Sequence, residues 1–153
     1  MLVSYKTWIQ KAYKEHFAIG AFNTNNLEIT QAIIEAAVEM KSPVIIQTSE
    51  KALDYAGIDE ISSIIKLLAR KAKVPVILNL DHGRKLQTVK DCLKHGYTAV
   101  MFDGSRYSFK KNARLTRKVV QVAKQYKVGV EGEIGALAGQ EDYIKSNRIK
   151  MTE

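Results

Sequence analysis

Apolar, strand-like runs alternate with helical periodicities along this chain and restart roughly every 25 to 30 residues, which restricts it to a parallel α/β sheet. The predicted strands are Phe17 to Asn23, Pro43 to Thr48, Val74 to Leu80, Thr98 to Phe102 and Val128 to Ile134. Each reads as a nearly continuous apolar run, the pattern of a strand covered on both faces. Between the first two, Ile29, Ala32, Ile33, Ala36, Ala37 and Met40 recur at helical spacing over Leu27 to Met40. Ile61, Ile64, Ile65 and Leu68 follow the i, i+3, i+4, i+7 pattern of the next helix, with Asp59 as its expected cap. A helix from about Lys85 to His95 ends where Gly96 can turn left-handed. A first helix, capped by Ser4 and running to about Glu15 with Trp8, Ile9 and Ala12 on its buried side, precedes all of these.

The architecture expected from five such units is part of a TIM (β/α)8 barrel, a fold that typically takes ~250 residues. The 153 residues form one expected domain, with no linker or shift in composition to divide them. In such a barrel the C-terminal ends of the strands carry the active site. Asn23, Ser49, Asp81, His82, Asp103 and Glu133 all fall at or near predicted strand ends. The third strand is the most telling, because Val74-Pro-Val-Ile-Leu-Asn-Leu80 stops at two adjacent groups able to do chemistry, Asp81 and His82. Taken alone, Asp81-His82-Gly83 reads equally as a turn after an ordinary strand.

Composition narrows the setting. The single cysteine, Cys92, excludes an intramolecular disulfide and a cysteine-based zinc site, which suits a reducing compartment. No apolar run approaches the ~20 residues that span a bilayer, and Met1-Leu-Val-Ser-Tyr-Lys6 lacks the apolar core of a signal peptide, so a cytoplasmic location with no membrane partner is expected. A net charge of +8 and a pI near 9.5 raise the question of nucleic acid. Lys110, Arg114, Arg117 and Lys118 share one helix face, opposite Phe109, Ala113, Thr116, Val120 and Ala123, which are expected in the core. Without an aromatic-interleaved groove or a zinc finger, that face reads as solvated rather than as a nucleic-acid site.

Five segments in order carry a family likeness: Ala21-Phe-Asn-Thr-Asn-Asn-Leu-Glu28, Ser42-Pro-Val-Ile-Ile-Gln47, Leu80-Asp-His-Gly83, Val100-Met-Phe-Asp-Gly-Ser105, and Glu131-Gly-Glu-Ile-Gly135 with Gly139-Gln-Glu-Asp142. With them the chain resembles the N-terminal part of class II, metal-dependent fructose-1,6-bisphosphate aldolases and the related tagatose-bisphosphate aldolases. The resemblance implies reversible cleavage of a ketose bisphosphate into dihydroxyacetone phosphate and glyceraldehyde 3-phosphate. It implies zinc, or another divalent metal, as the Lewis acid that stabilises the enediolate.

By the same resemblance His82 is a metal ligand, Asp103 and Glu133 are carboxylates near the metal, and Asn23 and Ser49 lie around the substrate. Asp81 handles the proton of the substrate C4 hydroxyl, and Glu141, on the glycine-rich loop, exchanges the proton at the dihydroxyacetone phosphate carbon. The family holds zinc with three histidines, of which only His82 matches here. Asn79 stands where a histidine is common, and Ala138 replaces a loop glycine. Expected partners are therefore a sugar bisphosphate together with further copies of the chain or a complementary C-terminal fragment. The competing reading is a non-catalytic, truncated or split aldolase-like protein that acts only with a complementary chain. Five strands of a barrel also imply open edges at the first and fifth, and an unfilled interior lined by Ile19, Val44, Ile46, Val76, Leu78 and Val100.

Overall fold

A computed structural model describes residues 1–135 and the backbone of 139–141 and 144–146. Helix α1 (Tyr5–Glu15) leads into β1 (Gly20–Asn23), α2 (Leu27–Glu39) and β2 (Val44–Ser49). Two helices follow, α3 (Glu50–Ala56) and α4 (Ile58–Lys71), then β3 (Val76–Gly83), α5 (Leu86–Lys94), β4 (Ala99–Phe102), α6 (Phe109–Gln125) and β5 (Gly129–Gly132). These strands form one sheet in the order β1-β2-β3-β4-β5, with every neighbouring pair parallel. A two-stranded antiparallel ladder joins β6 (Gly139–Glu141) to β7 (Ile144–Ser146).

All five predicted strands are present; β1, β4 and β5 are shorter than predicted, whereas β2 and β3 start later and run on to Ser49 and Gly83. Pairing of β1 with β2 starts at Gly20 opposite Val44, so Phe17 to Ile19 lie outside the ladder. Helix α3 escapes the periodicity because it spans only seven residues. The Ser49 side chain caps it by accepting from the Ala52 amide, and Gly57, at φ 80°, separates it from α4. Gly57 therefore takes the capping position expected of Asp59, which sits in the first turn of α4 and meets Nε2 of His95 at 2.8 Å. Ser4 precedes α1 as expected but makes no side-chain capping bond, whereas Gly96 adopts the anticipated positive φ.

The two faces of the sheet have exchanged roles relative to expectation. Val44, Ile46, Val76, Leu78 and Val100 face outward into the main core, packed with helical residues such as Ile34, Ile61, Ile65, Val89 and Val119. The inner face instead presents Ile45, Ile77 and Ala99, covered by Tyr5 and Trp8 of α1 and by Val3 and Ile19. Of the six residues expected inside, only Ile19 is there. The reason is physical: a run buried on both faces has no polar alternation to set its phase, and a shift of one residue exchanges the faces. Helix α1 thus closes the N-terminal end of the sheet interior, and on β2 and β3 the inner face continues through the polar Gln47, Ser49, Asn79 and Asp81.

Corrections on the helices concentrate at the two sheet edges. Phe109 and Val120 are 72% and 45% exposed and Ala113 is exposed as well, while Asn112, Val119 and Ala123 form the buried face of α6. On α2, Ile29 and Met40 are 41% and 71% exposed, and Thr30, Ile34 and Ala37 are buried. Of the sheet strands, helix α2 packs mainly against β2 and α6 against β5, and each helix leaves one flank exposed. Ile9 of α1 is also exposed, not buried. His16 and His95 cap helix C-termini, as expected.

Candidate metal centre and active site

Strand alternation explains why most of the polar strand-end residues meet. Ser49 lies opposite Asp81, and Asn79 opposite Gln47, so inner-face positions continue toward the C-terminal ends of the strands. Alternation alone would send His82 to the opposite face from Asp81. A bulge prevents this: between Leu80, paired with Val100, and Gly83, paired with Phe102, β3 carries one more residue than β4. His82 takes up the difference at φ 50°, a left-handed conformation uncommon outside glycine. Gly83 is required beside it, because a Cβ there would lie 2.8 Å from the Met101 carbonyl oxygen. Asp81, His82 and Gly83 are therefore one device that brings two polar side chains to the same side of the strand end.

His82 is the hub. Its Nδ1 lies 3.3 Å from Asp103 Oδ2 and 3.2 Å from Glu133 Oε2, and its Nε2 lies 3.9 Å from Asp81 Oδ1. Asp103 follows directly on β4 and is almost fully buried. Its Oδ1 accepts from the Ser105 amide at 3.0 Å and the Ser105 hydroxyl at 2.6 Å, and its Oδ2 accepts from Arg84 Nε at 3.3 Å. Glu133, just beyond β5, is held through its backbone, whose carbonyl accepts from Asn112 Nδ2 of α6 at 2.6 Å. Gly104 makes room for this contact, since a Cβ there would collide with the Asn112 side chain. Asp81 is oriented from the far side by Asn23 Nδ2, which donates to Oδ2 at 2.7 Å.

The electrostatics follow from this crowding. The hydrogen bond with Asp103 raises the His82 pKa to about 9; burial opposes the rise, and the charges of Asp81 and Glu133 assist it. Burial would push Asp103 upward, but its bonds with His82, Ser105 and Arg84 outweigh that and hold its carboxyl well below the usual carboxylate range. Burial raises Glu131, with a further push from the Asp81 charge. Without a bound cation, the raised His82 contributes stability that is fully present below pH 6.5 and is lost as pH rises through about 9. Urea midpoints across that window should fall in the native chain and stay nearly flat in His82→Gln. Equal slopes would remove the assignment.

His82, Asp103 and Glu133 each offer a ligand atom, and these atoms lie within 4.8 Å of one another. One imidazole with two carboxylates, drawn from the ends of three adjacent strands, suits a divalent ion such as zinc. An excess of carboxylates around a single ring is the charge balance that a divalent cation would neutralise. Of the residues singled out from sequence, Asn23, Asp81, His82, Asp103 and Glu133 come together. Ser49 stands beside them while capping α3. Glu141 ends β6, and its side chain lies outside the described residues. Sequence reasoning missed Arg84, Ser105 and Asn112. Only their places one to three residues past a site residue, or on the helix before β5, could have pointed to them.

Comparison with known proteins identifies the family. The family described as fructose-bisphosphate aldolase class-II matches residues 3–153. The chain is 46% identical over 144 residues to a fructose-bisphosphate aldolase of Thermus caldophilus, covering 94% of the chain and 47% of that protein. It is 41% identical over 142 residues to a sulfofructosephosphate aldolase of Alkalicoccus urumqiensis, covering 93% and 50% respectively. The solved YdjI aldolase of Escherichia coli K12 superposes with a TM-score of 0.85 at 36% identity, covering 88% of this chain and 53% of that one. The chain therefore spans about half the length of the curated relatives it matches. A match running through nearly every described element, on a parallel sheet that gathers its polar residues at the C-terminal strand ends, is decisive: the chain belongs to the class II fructose-bisphosphate aldolase family.

Proposed function

We propose that this chain supplies the N-terminal part of an active site for reversible, zinc-dependent aldol cleavage of a ketose 1,6-bisphosphate, as one barrel-forming domain acting in the cytoplasm. The observation that carries the proposal is the His82–Asp103–Glu133 cluster at the ends of β3, β4 and β5. His82 is the metal ligand, and Asp103 and Glu133 supply oxygen donors beside it. When bound, the cation supplies Lewis-acid polarisation of the substrate oxygens. Asp81, oriented by Asn23, accepts and returns the proton of the C4 hydroxyl. Glu141 exchanges the proton on the dihydroxyacetone phosphate carbon, and Asn23 and Ser49 contact the substrate. The named activities of the relatives, on fructose bisphosphate and on sulfofructosephosphate, share a sugar that is anionic at both ends.

Catalytic zinc sites hold roughly three strong protein ligands, and here one histidine must work with carboxylates that are already hydrogen-bonded. Further copies of the chain or a complementary C-terminal fragment would supply what the cluster lacks. The isolated chain should accordingly bind zinc weakly, and His82→Ala should abolish what binding there is. Calorimetric titration checks both. Tight stoichiometric binding by the chain alone would show that no further ligands are needed, and weak binding unaffected by His82→Ala would displace the cluster as the metal site. Aldol cleavage after mixing the chain with the C-terminal half of a matched relative would test the activity directly.

A further inference from the structure

Asp103 is held from four directions, and one of its holders is itself a cation. Its Oδ1 accepts from the Ser105 amide at 3.0 Å and the Ser105 hydroxyl at 2.6 Å, while Oδ2 faces His82 Nδ1 and Arg84 Nε, each at 3.3 Å. An ionised carboxylate offers about four lone-pair positions, so these contacts use all of them. Arg84 follows directly on Gly83 at the end of β3, and its amide donates to Oε1 of Glu50, in the first turn of α3, at 3.0 Å. The Arg84 side chain is 6% exposed and that of Asp103 1%, so salt screens the pair little. Arginine is not deprotonated in proteins, and the charge is therefore permanent. A cation drawn to His82 and its carboxylates finds Oδ2 already shared with a guanidinium.

We propose that Arg84 is a positioning residue that sets metal preference: by holding Asp103 Oδ2 it weakens that carboxylate as a donor, leaves His82 as the leading ligand, and so favours zinc over a hard ion such as manganese(II). The inference rests on the cluster being the metal site of the aldolase proposed above. An ion entering beside His82 Nδ1 must either displace Arg84 from Oδ2, which breaks a buried ion pair, or share the oxygen against like-charge repulsion. Both costs fall on oxygen ligation and spare the imidazole nitrogen. Glu133, 3.2 Å from the same ring nitrogen, is left as the principal oxygen donor. Imidazole suits zinc, whereas manganese and other hard ions depend on carboxylate oxygens. The penalty is thus larger for manganese, and it widens the margin by which zinc is preferred. A purely structural ion pair would act differently, since its loss would loosen the site for both ions alike.

The test is calorimetric titration of the full chain and its variants with zinc chloride and with manganese(II) chloride, read as the ratio of the two affinities. Arg84→Gln should tighten manganese about tenfold, a charge-assisted contact having been released from Oδ2, and zinc by less than about threefold. Arg84→Lys keeps the charge and should hold the ratio within about twofold of native. In the double variant with Asp103→Asn the gain from Arg84→Gln should vanish, because the two residues act through one oxygen. Should Arg84→Gln fail to fold, Asp103→Asn alone decides: manganese should weaken no more than zinc, since Asp103 gives little as a donor while Arg84 holds it. An unchanged ratio in Arg84→Gln, an equal fall for both ions, a gain that survives Asp103→Asn, or a selective loss of manganese in Asp103→Asn would each overturn the proposal. His82→Ala separates it from the wider reading. Metal binding that survives His82→Ala displaces the cluster and sinks the aldolase site as a whole, whereas His82-dependent binding with an unchanged ratio in Arg84→Gln sinks the role of Arg84 alone.

Discussion

Asp81→Ala, in a barrel completed by a complementary half, is expected to reduce aldol turnover by about 100- to 10,000-fold, the range for a lost general acid–base group. The geometry makes the variant informative. Asp81 lies outside the triad of ligand atoms, and its Oδ2 is held by Asn23 on the side away from His82. Zinc affinity should therefore change little while turnover collapses, which separates a proton-transfer role from a metal-binding one. Asn23→Ala should be milder, because it frees the carboxylate without removing it. Glu141→Ala should match Asp81→Ala in turnover, as the carboxylate assigned to the other proton. Turnover and zinc affinity measured on each variant would check the set. Full activity in Asp81→Ala and Glu141→Ala would remove both assignments, and a parallel loss of zinc in Asp81→Ala would move that residue into the metal site.

Much of this site could be read from residues alone, for a reason specific to parallel sheets. Where every strand points the same way, the residue ending each apolar run arrives at the same end of the sheet, so Asn23, Ser49, Asp81, Asp103 and Glu133 could be grouped without knowing any distance. What could not be read was the phase of each run. Val44 and Ile45, or Val76 and Ile77, are interchangeable as symbols, yet one of each pair meets the helices and the other meets Trp8 of α1. The bulge at His82 was hidden for a related reason: an inserted residue changes facing, not composition. Asn112 and Ser105 act by hydrogen bonds from a helix and a turn, and local pattern does not report such reach. Met40 and Phe109 lie on exposed flanks of α2 and α6, and helical periodicity alone does not report which part of an apolar stripe is covered.

Those flanks lead to the second large effect expected: the isolated 153-residue chain should self-associate, or become compact only with a complementary fragment. All four residues of β1 are exposed, and β5 ends the sheet on the other side, so among the described residues each of these strands leaves one edge unpaired. Apolar surface accompanies both edges. Beside β1, Phe22 at 52% exposure, Ala32, Ala36 and Met40 line a groove of about 520 Å3. Beside β5, Phe109 and Val120 overhang the edge from α6, next to Thr116, which packs over Gly132. The sheet interior contributes less than a hollow half-barrel would, because Tyr5 and Trp8 cover Ile45, Ile77 and Ala99. Association should therefore depend on the edges rather than on the interior. Phe22→Lys and Phe109→Lys, which place a charge at each edge, should lower the sedimentation-derived mass at a given concentration, whereas Trp8→Ala should unfold the chain instead. Analytical ultracentrifugation with thermal melts would check all three variants. A monodisperse native monomer that unfolds sharply at micromolar concentration would sink the prediction and show that α1 and the outer helices suffice to stabilise five strands of the barrel.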